Sequence, residues 1–476
     1  MRQALAEIRR ALGEAVDVLR TDRRVVSLDE MRIALRPAPE TGSAEFLEGI
    51  DIRDAEFEDW LRGMRSRAEE GALALSGKAA APAAATPLLS APDPAEGRRV
   101  LFLPAAEEPG LLRLIEDQFV DVAARSIRET YSLDVHIRDP GRSGPGLLMI
   151  SVQAFELRGT HLGLRVILED VDSQRALWSE NVVTPHDPGP ISQSIDHMGL
   201  CHRLMNALSD VMTAARPAGA GDPDANWLGG LALRKMFSMR HKALEEADGL
   251  LARASELSPR GVFDAWRAQL AVIQYVERQG SSRTELRERA EAYAARALAA
   301  EPMNSNVLSC LANARLVLEE NRAASGELAK LSVEVNSANP LSWWALANAQ
   351  LYGGDQEEAY RSAKIAQKLS ENSVLKFWSD FQVALIAAVT NRAEEAINHA
   401  EISSALAPNF RPPLRYLMAL YASRGDEGSV ARITERLCRL EPDFTVDRMV
   451  NDTAYPVSMM RRAGLIQGRR LTDVER

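Results

Sequence analysis

Three side chains near residue 200, His197, Cys201 and His202, are of the types that bind zinc. On a helix His197 and Cys201 stand one turn apart on the same face, and an i,i+4 His–Cys pair could hold half of a tetrahedral site. No two further ligands suggest themselves, and His202, adjacent to Cys201, points in another direction. A packed small thiol is the simpler reading. Asp170 and Asp172 form an acid pair at a hairpin, where Asp side chains bond nearby backbone amides and so need no catalytic role. The run Gly141-Arg142-Ser143-Gly144-Pro145-Gly146 lacks the lysine of a phosphate-binding loop, and Pro145 removes an amide that could cradle phosphate. No GxxxxGK[ST], nucleophile elbow or HExxH motif occurs. The expectation is a chain without enzymatic activity, metal or cofactor. Its function then has to come from surfaces.

The elements that would build such surfaces follow from composition and period. The 476 residues carry 57 Lys and Arg against 67 Asp and Glu, a net charge of −10. That balance argues against a protein coating nucleic acid along its length, while leaving room for one small basic contact surface. Cys201, Cys310 and Cys438 are too few and too far apart for a disulfide framework and suit a reducing compartment. The first residues lack the apolar core of a signal peptide. The longest strongly apolar stretch, Val383 to Val389, falls far short of the ~20 residues that span a bilayer. A cytoplasmic, multidomain protein without membrane association is expected.

Two breaks divide the chain. Residues 72–97 hold ten Ala and four Pro without strand alternation or a sustained helical stripe, and read as a semi-stiff linker. Residues 216–224 form a shorter Pro/Gly hinge. The resulting blocks are 1–71, 98–215 and 225–476. In the last block, counting back twelve residues from Pro259, Pro302, Pro340, Pro408 and Pro442 reaches Ala247, Ala290, Leu328, Ala396 and Val430. Gln356-Glu357-Glu358-Ala359 supplies a further copy. Small residues recur seven positions on at Ala254, Ala297, Ala366 and Ser403. Small residues at i and i+7, with Pro after the helix, are what stacked helix pairs require.

This pattern resembles the second helix of the tetratricopeptide repeat, with Trp343 and Ala347 the best match to the first-helix signature. In such a stack the first helix of each pair lines the concave face, which places Asn313, Trp344, Asn348, Tyr352, Phe381 and Arg415 in a peptide groove. There Asn would bond a peptide backbone, and Trp and Tyr would cover its apolar side chains. The competing assignment makes Trp344 and Phe381 interhelical core.

Block 98–215 changes period. A short buried strand at Val100–Pro104 precedes a helix from Leu111 to Tyr131. Alternating strands then run through Val135, Met149–Leu157, Leu162–Leu168 and Ala176–Glu180 before a closing helix over about 190–215. This is a small α+β layer, with Trp178 facing the core beside Phe155 or Val166. Leu164 through Glu180 resembles the TolB amino-terminal-like domain of regulators labelled adenylate cyclase-like, although the paired metal-binding aspartates of class III nucleotide cyclases are absent. In those regulators the domain lies between a winged helix and tetratricopeptide repeats.

Residues 2–13 read as a short amphipathic helix with Leu5, Ile8 and Leu12 inward. A hairpin follows, its turn carrying Asp22, Arg23 and Arg24. Together with Glu45 to Leu61, this resembles the bacterial transcriptional activator domain and the second half of its winged helix, as in antibiotic-regulatory-protein-type activators. The resemblance implies that Arg2, Arg9, Arg23 and Arg24 touch phosphates and that Gln3 and Arg10 face base edges. The match begins at the recognition helix, so either the start codon is placed too late or half of the DNA reader has been lost. The sequence thus predicts a mainly α, multidomain chain. It has a tetratricopeptide-like α-solenoid, a small α+β domain and a partial winged-helix block. As a function it predicts a transcriptional regulator acting by protein–protein assembly or self-association, with possible DNA contact. The alternative is a scaffold or adaptor that does not bind DNA, and an enzyme hidden in the α+β domain would need a site that no motif supplies.

Overall fold

The computed structural model describes residues 19–21, 26–28, 98–106, 110–138, 146–185, 194–214, 224–279 and 281–466. The chain forms two compact units, Met1–Leu89 and Ser90–Arg476. In the first, β1 (Leu19–Thr21) and β2 (Val26–Leu28) pair antiparallel, Leu19 opposite Leu28 and Thr21 opposite Val26. Arg2, Gln3, Arg9, Arg10, Arg23 and Arg24 lie outside the described residues, as do the Glu45–Leu61 stretch and the 72–97 segment.

The second unit opens with a layered α+β arrangement. Its elements are β3 (Arg99–Pro104), α1 (Leu111–Thr130), β4 (Asp134–Ile137), β5 (Leu147–Leu157), β6 (His161–Asp170), β7 (Arg175–Pro185) and α2 (Ile195–Met212). The strands form one mixed sheet in the order β4-β3-β5-β6-β7, with β3 parallel to both neighbours and β5, β6 and β7 antiparallel. Alternation decides which face is covered. Ile150, Val152, Leu164, Val166 and Leu168 point to the face packed by Phe119 and Ile127 of α1 and by Leu200 and Leu204 of α2. Trp178 is half-buried on this covered face, opposite Leu168. Phe155 is not its neighbour. It lies on the other face, over Gly163, where an added Cβ would meet its ring at 2.3 Å.

Six helical hairpins follow: α3 (Ala225–Phe237) with α4 (His241–Leu257), α5 (Gly261–Val276) with α6 (Arg283–Ala300), and α7 (Ser305–Val317) with α8 (Arg322–Val335). The others are α9 (Pro340–Gly353) with α10 (Gln356–Leu369), α11 (Lys376–Val389) with α12 (Ala393–Leu406), and α13 (Pro412–Arg424) with α14 (Glu427–Leu440). The short helices α15 (Val446–Asn451) and α16 (Ser458–Arg462) close the described chain. The molecule is therefore mainly helical, a tetratricopeptide-like solenoid joined to a small mixed sheet.

Local chemistry sets the hairpin boundaries. Asn304, Asn321, Asn339, Asp355 and Asp426 cap helix starts with their side chains, and Ser282 with Glu285 forms a capping box. Pro340 and Pro412 occupy first helical positions, where the missing amide costs nothing. Gly354 and Gly425 end helices with positive φ, at 97° and 73°. The small anchors let the helices approach closely. Ala247, Ala254, Ala290, Ala297, Ala359, Ala366, Ala396 and Ser403 are all buried in the second helices.

One anchor differs from the sequence expectation. In α8 the buried small residues are Ser325, Ala329 and Ser332, while Leu328 is only half-buried. Pro340 is the first residue of α9, five positions after Val335 ends α8, whereas Pro259, Pro302, Pro408 and Pro442 each lie two positions after their second helix. Counting back twelve from Pro340 therefore stops three residues short of the anchor Ser325.

The two layers of the second unit are joined by buried polar contacts. Glu129, in the last turn of α1, accepts hydrogen bonds from the Ser305 amide at 3.2 Å, the Ser305 hydroxyl at 2.5 Å and Asn336 Nδ2 at 2.9 Å. It thereby caps the N-terminus of α7 from a different layer, a favourable place for a carboxylate.

Candidate functional site

From the second hairpin onward the first helix turns one face inward, and the faces of α5, α7, α9, α11 and α13 enclose a hollow of about 320 Å³. Helical spacing aligns the lining residues: Trp344, Asn348 and Tyr352 on α9, and Trp378, Phe381, Gln382 and Leu385 on α11. All six groove residues expected from the sequence, Asn313, Trp344, Asn348, Tyr352, Phe381 and Arg415, line this one hollow. Their environments differ. Trp344 and Phe381 are each 8% exposed and serve as core and wall together. Trp344 packs on Trp378 with ring centroids 4.8 Å apart, and Phe381 meets the edges of Phe410 and Tyr416 at 5.3 and 5.4 Å. The two groups of rings are linked behind the wall by Phe237 and Phe377.

On the same helix faces, one turn from the rings, runs a line of carboxamides that Gln269 extends behind the lining. Gln269, Asn313 and Asn348 are the ninth residues of α5, α7 and α9, and Gln382 is the seventh of α11. Asn313 Nδ2 donates to Gln269 Oε1 at 3.0 Å, and Gln382 Nε2 donates to Asn348 Oδ1 at 3.1 Å and to the Trp344 carbonyl at 2.7 Å. Asn313 and Gln382 are each 2% exposed, yet Asn313 Oδ1 and Gln382 Oε1 have no hydrogen-bond partner among the described residues. An unpaired buried polar atom costs roughly 1–3 kcal/mol, and Gln269 Nε2, a donor in the same row, is without a partner among the described residues as well. The sequence reading took Asn313 and Asn348 from this line and missed Gln269 and Gln382. The signal that could have found them is the interval between amides, 44, 35 and 34 residues, which follows the repeat.

Arg415 belongs to the site's frame. It is 1% exposed, and its guanidinium donates to Glu441 Oε1 at 2.5 Å, the Val276 carbonyl at 2.7 Å and Tyr455 Oη at 3.1 Å. Those bonds tie the end of α5 to α13 and to the chain after α14, closing the solenoid around the hollow. Glu277 lies in the same seam, where its carboxylate accepts from the Arg411 amide at 3.3 Å. Burial pushes its pKa up to about 7, against the pull of Arg415 and Arg411. Nearer the opening, Arg283 lies over the Tyr275 ring at 5.5 Å and pairs with Glu320 at 2.8 Å.

The residues singled out as potential metal ligands have ordinary roles. His197 Nδ1 meets Ser194 Oγ at 2.7 Å, and burial drives the His202 pKa down to about 4 and the Cys201 thiol up to about 12. Among the described residues no three ligand-type side chains converge. Asp172 accepts from the Gly146 amide at 2.6 Å and Asp170 from the Asp172 amide at 3.1 Å, which is turn chemistry. No described helix is long and apolar enough to cross a membrane.

No protein-family model matches the chain, and no curated protein matches it. Solved structures that share features include YrrB, a TPR protein with an unusual peptide-binding site, at 15% identity and a TM-score of 0.26, over 40% of this chain and 93% of that one. The Rap protein complexed with competence and sporulation factor aligns at 14% identity and a TM-score of 0.36, over 59% of this chain and 87% of that one. Yeast Tom70 aligns at 15% identity and a TM-score of 0.29, over 59% and 61%. Likeness at this level carries no functional weight, and the repeat architecture rests on the helix packing itself.

Proposed function

We propose that this chain is a helical-repeat scaffold that captures a short extended segment of a partner protein in the hollow. The observation that carries this reading is one hollow lined both by the Trp344, Trp378 and Phe381 rings and by the carboxamides Asn313, Asn348 and Gln382, of which Asn313 Oδ1 and Gln382 Oε1 have no hydrogen-bond partner among the described residues. Backbone N–H groups of an extended segment are the donors such oxygens suit, and its apolar side chains suit the rings. The volume lies at the low end of ligand pockets, which run about 300–1,000 Å³, and so admits a few residues and no folded domain. The test is selection from an arrayed library of short random peptides. The chain is expected to retain a defined subset, and Asn348→Ala combined with Gln382→Ala to lose it while the thermal midpoint moves by only a few degrees. Unchanged selection by the double variant refutes the reading.

A second reading, DNA contact by residues 1–71, is supported by the antiparallel pair β1–β2, which brackets Arg23 and Arg24. It keeps the regulator function suggested by the activator-domain and TolB-like resemblances. Binding to the promoter of its own gene should then weaken with salt by about −0.9 in log–log slope per phosphate contacted. Salt-independent binding counts against it.

A further inference from the structure

A second concavity lies where the α+β layer meets the solenoid, an open cleft of about 680 Å³ that shares no lining residue with the hollow. Four arginines line it: Arg98 and Arg99 where β3 begins, Arg128 in the last turn of α1, and Arg260 just before α5. The acids in the same lining are Asp134 and Glu301, so the cleft is cationic in a chain whose net charge is −10. Ser132 and Ser258 add two hydroxyls, 2.9 Å apart.

Most of this positive charge is uncompensated. Arg98 Nη1 donates to the Val211 carbonyl at 2.9 Å and Arg128 Nη2 to the Val135 carbonyl at 3.2 Å, both neutral partners. Arg99 makes no side-chain hydrogen bond or ion pair among the described residues, and its Nε is buried. Only Arg260 faces a carboxylate, donating through Nε to Glu301 Oε1 at 2.8 Å. Like charges held together in a concavity repel, and an anion placed among them removes that cost. The frame is fixed from both layers. The Ser132 amide donates to Asn226 Oδ1 at 2.7 Å, Asn226 Nδ2 returns a bond to the Ser132 carbonyl at 3.2 Å, and Arg260 Nη2 donates to the Arg128 carbonyl at 2.5 Å. The loop after α1 is thereby tied to α3 and to the start of α5, which holds the cleft in shape before any ligand arrives.

We propose that this cleft binds a small phosphorylated molecule, its phosphate held by Arg98, Arg99 and Arg128 with the hydroxyls of Ser132 and Ser258. The donors come from three separate segments, 98–99, 128–132 and 258–260. A tetrahedral phosphate accepts from several sides at once, where a planar carboxylate accepts in one plane, and guanidinium forks match phosphate oxygens two at a time. The size of the cleft falls within the range of small-molecule sites, about 300–1,000 Å³, and leaves room beside Tyr131 and Leu133 for an organic portion beyond the phosphate. Bound there, the ligand bridges β3 and α1 of one layer and the segment between α4 and α5 of the other. It is a site of its own, independent of peptide capture in the hollow.

The experiment titrates the full chain with pyrophosphate, inorganic phosphate and a short DNA duplex by calorimetry at fixed ionic strength. Pyrophosphate should bind saturably at one site and about ten-fold more tightly than inorganic phosphate, because it reaches more donors. On binding, hydrogen–deuterium exchange should slow at residues 128–134 and 258–261. Arg99→Gln removes no bond present in the free chain, so it should weaken pyrophosphate about ten-fold while the thermal midpoint stays unchanged. Ser258→Asp places a carboxylate among the guanidiniums and should abolish binding, with a midpoint equal to or above that of the unmodified chain. Asn348→Ala with Gln382→Ala, in the hollow, should leave pyrophosphate binding unaltered. Absence of saturable binding by the folded chain overturns the proposal. So does full affinity in Arg99→Gln or in Ser258→Asp, or protection confined to other residues. Duplex binding that pyrophosphate cannot displace assigns the cleft to nucleic acid and overturns it as well.

Discussion

Glu277 gives the sharpest test of the closed seam. Its carboxylate is buried at the end of α5, beside Arg411 and Arg415 of the last hairpin, and burial raises its pKa from 4.5 to about 7. A carboxyl whose pKa is raised in the folded state binds its proton more tightly there than in the unfolded chain. Its contribution to stability is complete below pH ~4.5 and is lost as pH rises through about 7. At 1.36 kcal/mol per unit, the contribution amounts to about 3 kcal/mol. Glu277→Gln mimics the neutral carboxyl, keeps an acceptor for the Arg411 amide and cannot titrate. Urea melts of both chains, followed by tryptophan fluorescence, should be run from pH 4.5 to pH 8. The stability difference, variant minus unmodified chain, should move in favour of Gln by about 3 kcal/mol over that span and level off above pH ~7.5. A difference flat in pH, or one moving in favour of Glu as pH rises, would show that Glu277 acts as an ionised partner of the arginines, and would refute the reasoning.

Arg415→Ala should cost about 2–4 kcal/mol in the same melts, because Glu441 Oε1 and the Val276 carbonyl lose their buried donor while Arg278 still pairs with Glu441 Oε2 at 3.1 Å. A variant that keeps full stability and loses only peptide selection would return Arg415 to the role of a ligand contact. Glu129→Ala should cost about 2–4 kcal/mol, since the Ser305 amide, the Ser305 hydroxyl and Asn336 lose their buried acceptor. Hydrogen exchange should then rise first at the start of α7. A cost below ~0.5 kcal/mol would mean that water replaces the carboxylate at no penalty.

Much of the helical architecture was legible because its causes are local. Asn, Asp and Ser at helix starts, Pro at the first helical turn and Gly at the ends act within a few residues, and small residues at i and i+7 mark the close-packed face of each second helix. The one anchor placed wrongly, Leu328 for Ser325, failed because Pro340 opens the next helix, whereas the other prolines of the pattern stand two residues after the helix they follow. The strands of the α+β layer were legible for the same reason, their two-residue alternation. Of the two neighbours expected for Trp178, Val166 shares its covered face and Phe155 does not, because which residues of β5 share that face depends on pairing across β6.

For the hollow, spacing alone placed Asn313, Trp344, Asn348, Tyr352, Phe381 and Arg415 on one surface, and the folded chain brings all six to one cavity. Periodicity fixes which face of a helix a residue occupies, and it carries no information about what comes to meet that face. That Arg415 is locked to Glu441, that Gln269 pairs with Asn313 from 44 residues away, and that Tyr455 to Arg462 folds back beside Tyr352 are meetings between segments far apart in the chain. The superhelical curvature that brings them together is the sum of small rotations between successive hairpins, set by side-chain packing along the whole array. The sequence by itself determined the hairpins and the inward-facing residues, and only the tertiary structure decided that those residues enclose a hollow and what closes it.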